Sequence, residues 1–166
     1  MSVDSCAKCR LALTRHCVVR GRGAVPATLL FLGEGPGVSE DLLGEAFVGP
    51  AGQLLDKMLR DAGLQGVPVY FTNCVLCRPC DSKGGANREP APDEIAACRT
   101  NVLQIVDAVC PQEVILVGDT AKRHLRRVFA EATCITHPSA LLRLGGPAAP
   151  NYRENIIKME AIRVRL

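Results

Sequence analysis

The chain has 166 residues, 48% hydrophobic and 22% charged, and this composition is typical of one compact globular domain covering residues 1–166. No stretch is long and apolar enough to predict a membrane span, so we expect no membrane association. The 20 basic and 17 acidic residues give a formal net charge of +3, which is too small to predict nucleic-acid binding unless the basic residues cluster.

Four short runs of apolar, β-branched or aromatic residues predict buried strands. These runs lie at 28–32, 67–72, 113–117 and 133–136. Stretches with apolar residues at helical spacing predict helices at 52–62, 92–109, 120–130 and 151–163. Strands that alternate with helices predict a parallel sheet with helices on its faces. Such sheets bind ligands beyond the carboxyl ends of their strands, so the loops that follow the strands are the places to look for a site.

Two segments, 20–25 and 80–92, are expected to be surface loops because glycine and other turn-forming residues interrupt any regular pattern there.

The loop after the first strand is rich in glycine. It contains three glycines around a proline, in Gly33-Glu-Gly-Pro-Gly37. Its backbone can approach a ligand closely, but the P-loop lysine and the dinucleotide fingerprint are both absent, which disfavours a nucleotide cofactor. Taken alone, the motif fits a simple turn equally well.

Nine cysteines are unusual for a chain of this length. The first residues lack the apolar segment of a secretory signal, so we expect a reducing, cytoplasmic location. In that compartment, cysteines indicate metal ligation first and small buried hydrophobic residues second. Cys6 and Cys9 form a Cys-x-x-Cys pair, the spacing of a short chelate. Four cysteine ligands can hold either zinc or an iron–sulphur cluster, so spacing alone leaves both open.

The glycine-rich loop and several later segments resemble the iron–sulphur uracil-DNA glycosylases, the fourth family of the uracil-DNA glycosylase superfamily. The resemblance covers nearly the whole chain in the family's order. It is carried by Gly33-Glu-Gly-Pro-Gly37, Glu40-Asp41, Phe47-Val-Gly49-Pro-Ala-Gly52, Tyr70-Phe-Thr-Asn73-Cys-Val-Leu-Cys77-Arg-Pro79, Asn87-Arg88, Cys98, Val117-Gly118 and His137-Pro-Ser-Ala-Leu-Leu-Arg143. This resemblance implies an α/β three-layer sandwich with a four-stranded, mainly parallel central sheet flanked by helices.

The resemblance also implies a uracil pocket. An enzyme that acts on a base takes it out of the stack, holds its face and reads its edge. Phe47 is expected to supply the stacking ring, although it could instead fill the core. Asn73 is expected to read the base, because an amide can donate to a carbonyl and accept from a ring N–H. His137 is expected to donate to the uracil oxygen that gains charge as the glycosidic bond breaks.

Two carboxylates, those of Glu34 and Glu40, are candidates to position the water that attacks the sugar. The first family of the superfamily has an aspartate where this chain has Gly35, so that carboxylate is absent here. Glu40 is expected to orient the water, and Glu34 and Gly35 to line the uracil pocket. The alternative role for Glu40 is that of a first-turn acid in a short helix.

The resemblance assigns a [4Fe–4S] cluster, with zinc as the alternative, to four cysteines: Cys6, Cys9, Cys77 and Cys98. Cys74 and Cys80 lie close enough to Cys77 that a shifted set of ligands stays open. The remaining cysteines, Cys17, Cys110 and Cys134, are expected in the core.

DNA contacts are expected from two basic groups and one apolar segment. The basic groups are Arg10, Arg15, Arg20 and Arg22 near the N-terminus and Lys122, Arg123, Arg126 and Arg127 on one helix. A solvated basic face is the alternative for the second group. The resemblance suggests that Ala140, Leu141, Leu142 and Arg143, on a loop after His137, enter the minor groove. The stretch between Gly118 and His137 is shorter than in typical family members.

The sequence therefore predicts a monomeric enzyme that removes uracil from single- or double-stranded DNA and leaves an abasic site. In a bacterial or archaeal cell it would be associated with the nucleoid. Two alternatives stay open: a metal-cluster protein that binds DNA with little or no catalysis, and a glycosylase for another deaminated or damaged base.

Overall fold

The computed structural model describes residues 3–166. Its elements alternate in the order expected from the sequence. The strands are β1 (Arg22–Gly23), β2 (Leu29–Gly33), β3 (Val69–Asn73), β4 (Glu113–Val117) and β5 (Thr133–Ile135). The α-helices are α1 (Val38–Leu43), α2 (Pro50–Asp61), α3 (Pro92–Val109), α4 (Asp119–Leu125), α5 (Pro138–Arg143) and α6 (Pro150–Arg165). Short 3-10 helices occupy Val3–Ser5, Arg10–Leu13 and Gly146–Ala148.

The sheet has five strands in the order β1-β3-β2-β4-β5, not the four that we expected. The four predicted strands are all present and parallel to one another. The additional strand, β1, lies in the segment predicted as a loop and pairs antiparallel with β3, Arg22 opposite Phe71. It has only two residues, which is too short to leave a hydrophobic pattern in the sequence.

The helices cover both faces of the sheet and complete the three-layer sandwich. On one face, Phe31, Phe71 and Ile115 pack in a core that includes apolar residues of α2 and α6. On the other face, Leu30 and Leu116 pack with apolar residues of α3 and α4. The central strands β2 and β4 have buried residues on both faces, which explains why each is a largely apolar run in the sequence.

Three helices differ from the sequence prediction. The helix predicted at 120–130 ends at Leu125, after which the chain turns back toward β5. Two six-residue helices, α1 and α5, were not among the predicted helices. Glu40 lies in the first turn of α1, as its alternative role required, and α5 replaces the loop that we expected after His137. Within residues 3–166, neither the 18-residue α3 nor any other helix has the length and apolar character that crossing a bilayer requires.

Candidate functional site

A pocket of about 400 Å³ lies beyond the carboxyl ends of β2, β3 and β5. Parallel strands bring the loops that follow them to one edge of the sheet, and Gly33 at the end of β2 stands beside Asn73 at the end of β3. The pocket is lined by all six residues predicted to form the catalytic and uracil-binding site: Glu34, Gly35, Glu40, Phe47, Asn73 and His137.

Phe47 forms one wall of the pocket in a backbone conformation that is unfavourable for a bulky residue, with φ at 55°. Arg22 holds this conformation: its Nε donates to the carbonyl of Ala46 at 2.8 Å, and its Nη2 donates to that of Phe47 at 3.1 Å. The Phe47 ring centroid lies 5.7 Å from that of Phe71 and 6.3 Å from that of His137. The ring is therefore fixed between the core and the pocket.

Asn73 is buried at the end of β3 and lines the pocket. Its amide makes no hydrogen bond to any residue within 3–166, which leaves both of its polar atoms available to a ligand. Gly33 creates the space for this arrangement. A Cβ atom there would lie 2.5 Å from both Asn73 Oδ1 and Phe47 Cζ, so a larger residue would displace the amide or the ring.

His137 caps the N-terminus of α5. Its Nδ1 accepts the backbone N–H of Ser139 at 3.2 Å and lies 2.8 Å from the Ser139 hydroxyl. Burial, with a further contribution from the charge of Arg143, lowers the pKa of His137 to about 4, against a smaller opposing effect of Glu40. The ring is therefore neutral at pH 7. Since Nδ1 acts as an acceptor, the proton is assigned to Nε2, which can donate to a ligand.

We expect His137 to stay neutral from pH 8 down to about pH 5, because charging the ring would bury a cation and oppose the N–H of Ser139 at Nδ1. A titration of the imidazole nitrogens by NMR measures this directly. The expected midpoint is about 4. A midpoint near the ordinary histidine value of about 6.5 would contradict this assignment.

The two carboxylates are held in different ways. Glu40 Oε1 accepts the N–H of Gly49 at 2.7 Å, and its Oε2 accepts that of Gly37 at 3.2 Å, so the carboxylate ties together the two ends of the glycine-rich segment. Glu34 Oε2 accepts from the Thr120 hydroxyl at 2.6 Å. Its Oε1 makes no hydrogen bond within the described residues. Gly35 packs closely, since a Cβ there would lie 2.9 Å from the side chain of Val75.

The four predicted metal ligands line one small cavity of about 20 Å³, which shares no lining residue with this pocket: Cys6, Cys9, Cys77 and Cys98. Two side-chain donors from distant parts of the chain point at their sulphur atoms. Arg15 Nη1 lies 3.4 Å from Cys77 Sγ, and Asn101 Nδ2 lies 3.6 Å from Cys6 Sγ. The backbone N–H of Leu76 donates to Cys98 Sγ at 3.4 Å. N–H donors of this kind are the partners that cluster thiolates receive in proteins.

Burial raises the pKa of the Cys77 thiol to about 11 and that of Cys98 to about 12, so both are protonated at neutral pH until a cation compensates their charge. Within residues 3–166, no group of three or more His, Cys, Asp or Glu side chains is arranged to hold a metal ion as it stands. Four thiols around one cavity are nonetheless a donor set that fits zinc or an iron–sulphur cluster.

The other cysteines lie elsewhere. Cys74 and Cys80 are buried outside the cavity, so neither replaces Cys77 as a lining residue. Cys17 and Cys134 are partly buried. Cys110 is exposed, and its expected place in the core is wrong, because it follows the last residue of α3 at a surface turn.

Residues 20–159 match the family model described as "Uracil DNA glycosylase superfamily". The chain belongs to this superfamily. It is 39% identical over 127 residues to a type-4 uracil-DNA glycosylase of Archaeoglobus fulgidus, an alignment that covers 76% of this chain and 61% of the relative. The corresponding enzyme of Thermotoga maritima is 41% identical over 119 residues, covering 72% and 59%. That of Pyrobaculum aerophilum is 32% identical over 164 residues, covering 85% and 81%.

These relatives bear out the resemblance to the type-4 branch of the superfamily. The chain spans about three fifths of the length of the first two relatives. Nine cysteines are compatible with an iron–sulphur cluster in this member of the superfamily.

The structure separates the predicted DNA-binding residues of this glycosylase-superfamily chain. Leu142 and Arg143 are exposed, and Arg143 borders the pocket. Ala140 is partly buried. Leu141 is fully buried in the core, so its predicted insertion into a DNA groove is wrong; the helical form of α5 turns its side chain inward.

The basic group near the N-terminus is engaged within the protein. Arg10 pairs with Glu94, Arg20 with Asp4 and Arg22 with Asp56. Arg15 faces the cysteine cavity. The prediction that these arginines form a phosphate-binding patch is therefore not supported by their contacts. In the second group, Lys122 and Arg123 line a cleft of about 600 Å³ that adjoins the pocket.

The contacts of two residues that support the pocket of this superfamily member were not predicted from the sequence. Arg22 was counted as a DNA contact, yet it holds Phe47 in place. Thr120, which carries the hydrogen bond to Glu34, had no signal of its own because it lies 86 residues away in the chain.

Proposed function

We propose that this chain is a DNA glycosylase that flips uracil out of DNA and hydrolyses its N-glycosidic bond, leaving an abasic site. One observation carries the proposal: a single pocket combines the fixed ring of Phe47, the unpaired amide of Asn73 and the neutral imidazole of His137. A flipped base needs a stacking surface, an edge reader and a donor at the oxygen that gains charge.

Recognition of the base follows from the Asn73 amide. Its NH₂ can donate to a uracil carbonyl while its oxygen accepts the adjacent ring N–H. Cytosine presents the opposite pattern at this edge, with an amino group and an unprotonated ring nitrogen, so the same amide orientation would meet it with mismatched groups. Phe47 supports the face of the base while Asn73 reads the edge.

Bond cleavage is assisted by His137. As the glycosidic bond breaks, negative charge builds on the uracil oxygen, and Nε2–H donates to it. This hydrogen bond strengthens in the transition state, so it accelerates the reaction instead of merely binding the substrate. A neutral donor needs no proton uptake from solvent between pH 5 and pH 8.

The attacking water is oriented by Glu40. Its carboxylate is held rigidly by two backbone N–H groups, and its charge acts on the His137 ring, which indicates that it lies near the reacting groups. A fixed carboxylate can orient water and stabilise the cationic, oxocarbenium-like sugar. Glu34 and Gly35 line the uracil-binding part of the pocket.

The metal group is proposed to be a [4Fe–4S] cluster bound by Cys6, Cys9, Cys77 and Cys98, with zinc as the alternative. A cluster at this cavity supplies cross-linking and no step of the hydrolysis, since glycosidic hydrolysis transfers no electrons. Cys77 lies four residues after Asn73 in a buried segment, and the N–H of Cys74 donates to the carbonyl of Gly33 at 2.9 Å. Fixing Cys77 therefore helps to fix Asn73 beside β2.

The partner is proposed to be uracil-containing DNA, single- or double-stranded. Arg143 lines the pocket, where a cation can meet phosphate. The exposed Leu142 precedes it on α5, and an apolar side chain there can fill the space left by the flipped base. Ala140 lines the adjoining cleft from the same helix.

A panel of oligonucleotides, each with uracil, cytosine, thymine or hypoxanthine at one position, tests the substrate. We expect release of free uracil only, with an intact strand until alkali is added. Release of hypoxanthine without uracil would favour a glycosylase for another base. Binding to every oligonucleotide without release of any base would favour a DNA-binding protein without catalysis.

A further inference from the structure

A chain of contacts leads from Glu34 to the protein surface, and beyond Glu34 none of its residues has a role in the chemistry proposed above. It runs through the buried Thr120 of α4 and then the exposed pair of Glu89 and Arg123. The Thr120 hydroxyl lies 2.6 Å from Glu34 Oε2 and 3.1 Å from Glu89 Oε1. Arg123 Nη1 lies 2.6 Å from the same Glu89 oxygen. These four residues all line the 600 Å³ cleft beside the pocket.

One hydroxyl cannot satisfy both carboxylates, because it has a single proton to donate. The shorter distance assigns this proton to Glu34. The charge of Glu89 is then balanced by Arg123, which lies 2.6 Å away and is the main cause of the lowered pKa of Glu89. Without Arg123, the Glu89 carboxylate would compete with Glu34 for the Thr120 proton.

We propose that Thr120 is a positioning residue that fixes the Glu34 carboxylate in the uracil pocket, and that the Glu89–Arg123 ion pair directs its proton toward Glu34. The inference rests on the proposed glycosylase function. Glu34 follows Gly33 in the loop after β2, and the Thr120 hydroxyl is the only side-chain group within the described residues that donates to its carboxylate. Loss of that donor frees the carboxylate to rotate, and small displacements of reacting groups cost up to about 100-fold in rate.

The test compares Thr120→Val with Thr120→Ser. Thr120→Val preserves the shape of the side chain but removes the donor, and Thr120→Ser keeps the donor. We expect the single-turnover rate of uracil excision, with all DNA bound, to fall about 10- to 100-fold in Thr120→Val and to stay within about twofold in Thr120→Ser. The affinity for DNA carrying a stable abasic-site analogue should be unchanged in both variants.

Arg123→Met tests the role of the ion pair. With DNA saturating, it should lower the excision rate about threefold to tenfold in the native chain and have no further effect in the Thr120→Val background, because residues that act through one contact are not additive. Additive effects of the two substitutions would overturn the proposal that the ion pair directs the Thr120 hydroxyl proton toward Glu34.

The Thr120 variants distinguish a failure of this inference from a failure of the proposed function. An unchanged rate in Thr120→Val, or an equal loss in Thr120→Ser, would overturn the positioning role while the glycosylase assignment stands. If the native chain releases no uracil, crystal structures of the variants still decide the inference. The Glu34 carboxylate should leave its position in Thr120→Val and keep it in Thr120→Ser, and an unmoved carboxylate in Thr120→Val would overturn it.

Discussion

Asn73→Asp should abolish most uracil excision, with a loss of about 10³-fold in the single-turnover rate. The substitution keeps the size of the side chain but replaces the donating NH₂ with an acceptor. A carboxylate at this buried position would face the uracil carbonyl with like partial charges and would also carry an unpaired charge into the pocket.

Asn73→Ala is the matched control, since it removes the hydrogen bonds without adding repulsion. Its loss of rate should be smaller, about 10²-fold. The ratio of the excision rates of the two variants measures the repulsion between the introduced carboxylate and the uracil carbonyl. The thermal midpoint of each variant should be measured alongside, because the native amide makes no hydrogen bond within the described part of the chain and its loss should affect folding little. Asn73→Asp that retains activity within tenfold of the native chain would refute the base-reading role.

Cys77→Ala should have the second largest effect, because it removes a ligand whose side chain belongs to the core. We expect loss of the metal group and destabilisation by about 4 kcal/mol, the range of lost metal sites. For a chain of this size, that corresponds to a fall in thermal midpoint on the order of 10 °C. Uracil excision should fall as well, because the segment that leads from Asn73 to Cys77 loses its anchor.

Two cysteines provide matched controls. Cys80→Ala removes a buried thiol outside the cavity, and Cys110→Ser changes an exposed one. Both variants should retain the metal group. Iron and sulphide analysis, with absorbance near ~400 nm, identifies a cluster, whereas a colourless protein that contains zinc would establish the alternative. Loss of metal in Cys80→Ala but not in Cys77→Ala would contradict the proposed set of ligands.

The sheet was predictable because its central strands are buried on both faces and are therefore largely apolar, and such runs stand out in a sequence. The two-residue β1 could not be found in this way, since its pairing depends on β3, almost fifty residues later in the chain. The short helices α1 and α5 were missed for a related reason. Six residues do not form a stable helix by propensity alone, and these two helices begin where the Glu40 carboxylate and the His137 ring accept backbone N–H groups.

The candidate site was predictable to the extent that its residues lie in recognisable motifs after the strands. Asn73 ends β3, and Phe47 and His137 come from two separate connections; the parallel sheet brings all three to one edge. The supporting residues could not be predicted. Arg22 and Thr120 act through contacts with distant parts of the chain, and their residue types have many common roles on protein surfaces. The burial of Leu141 likewise depends on the helical twist of α5, which the sequence pattern did not indicate.

The central claim is that the pocket removes uracil from DNA, and excision from a uracil-containing oligonucleotide tests it most directly. The purified chain is incubated with single-stranded and double-stranded forms of the oligonucleotide, and alkali then cleaves any abasic site. We predict a strand break at the uracil position in at least one form and none in a matched oligonucleotide with thymine. No break at uracil in either form would contradict the account.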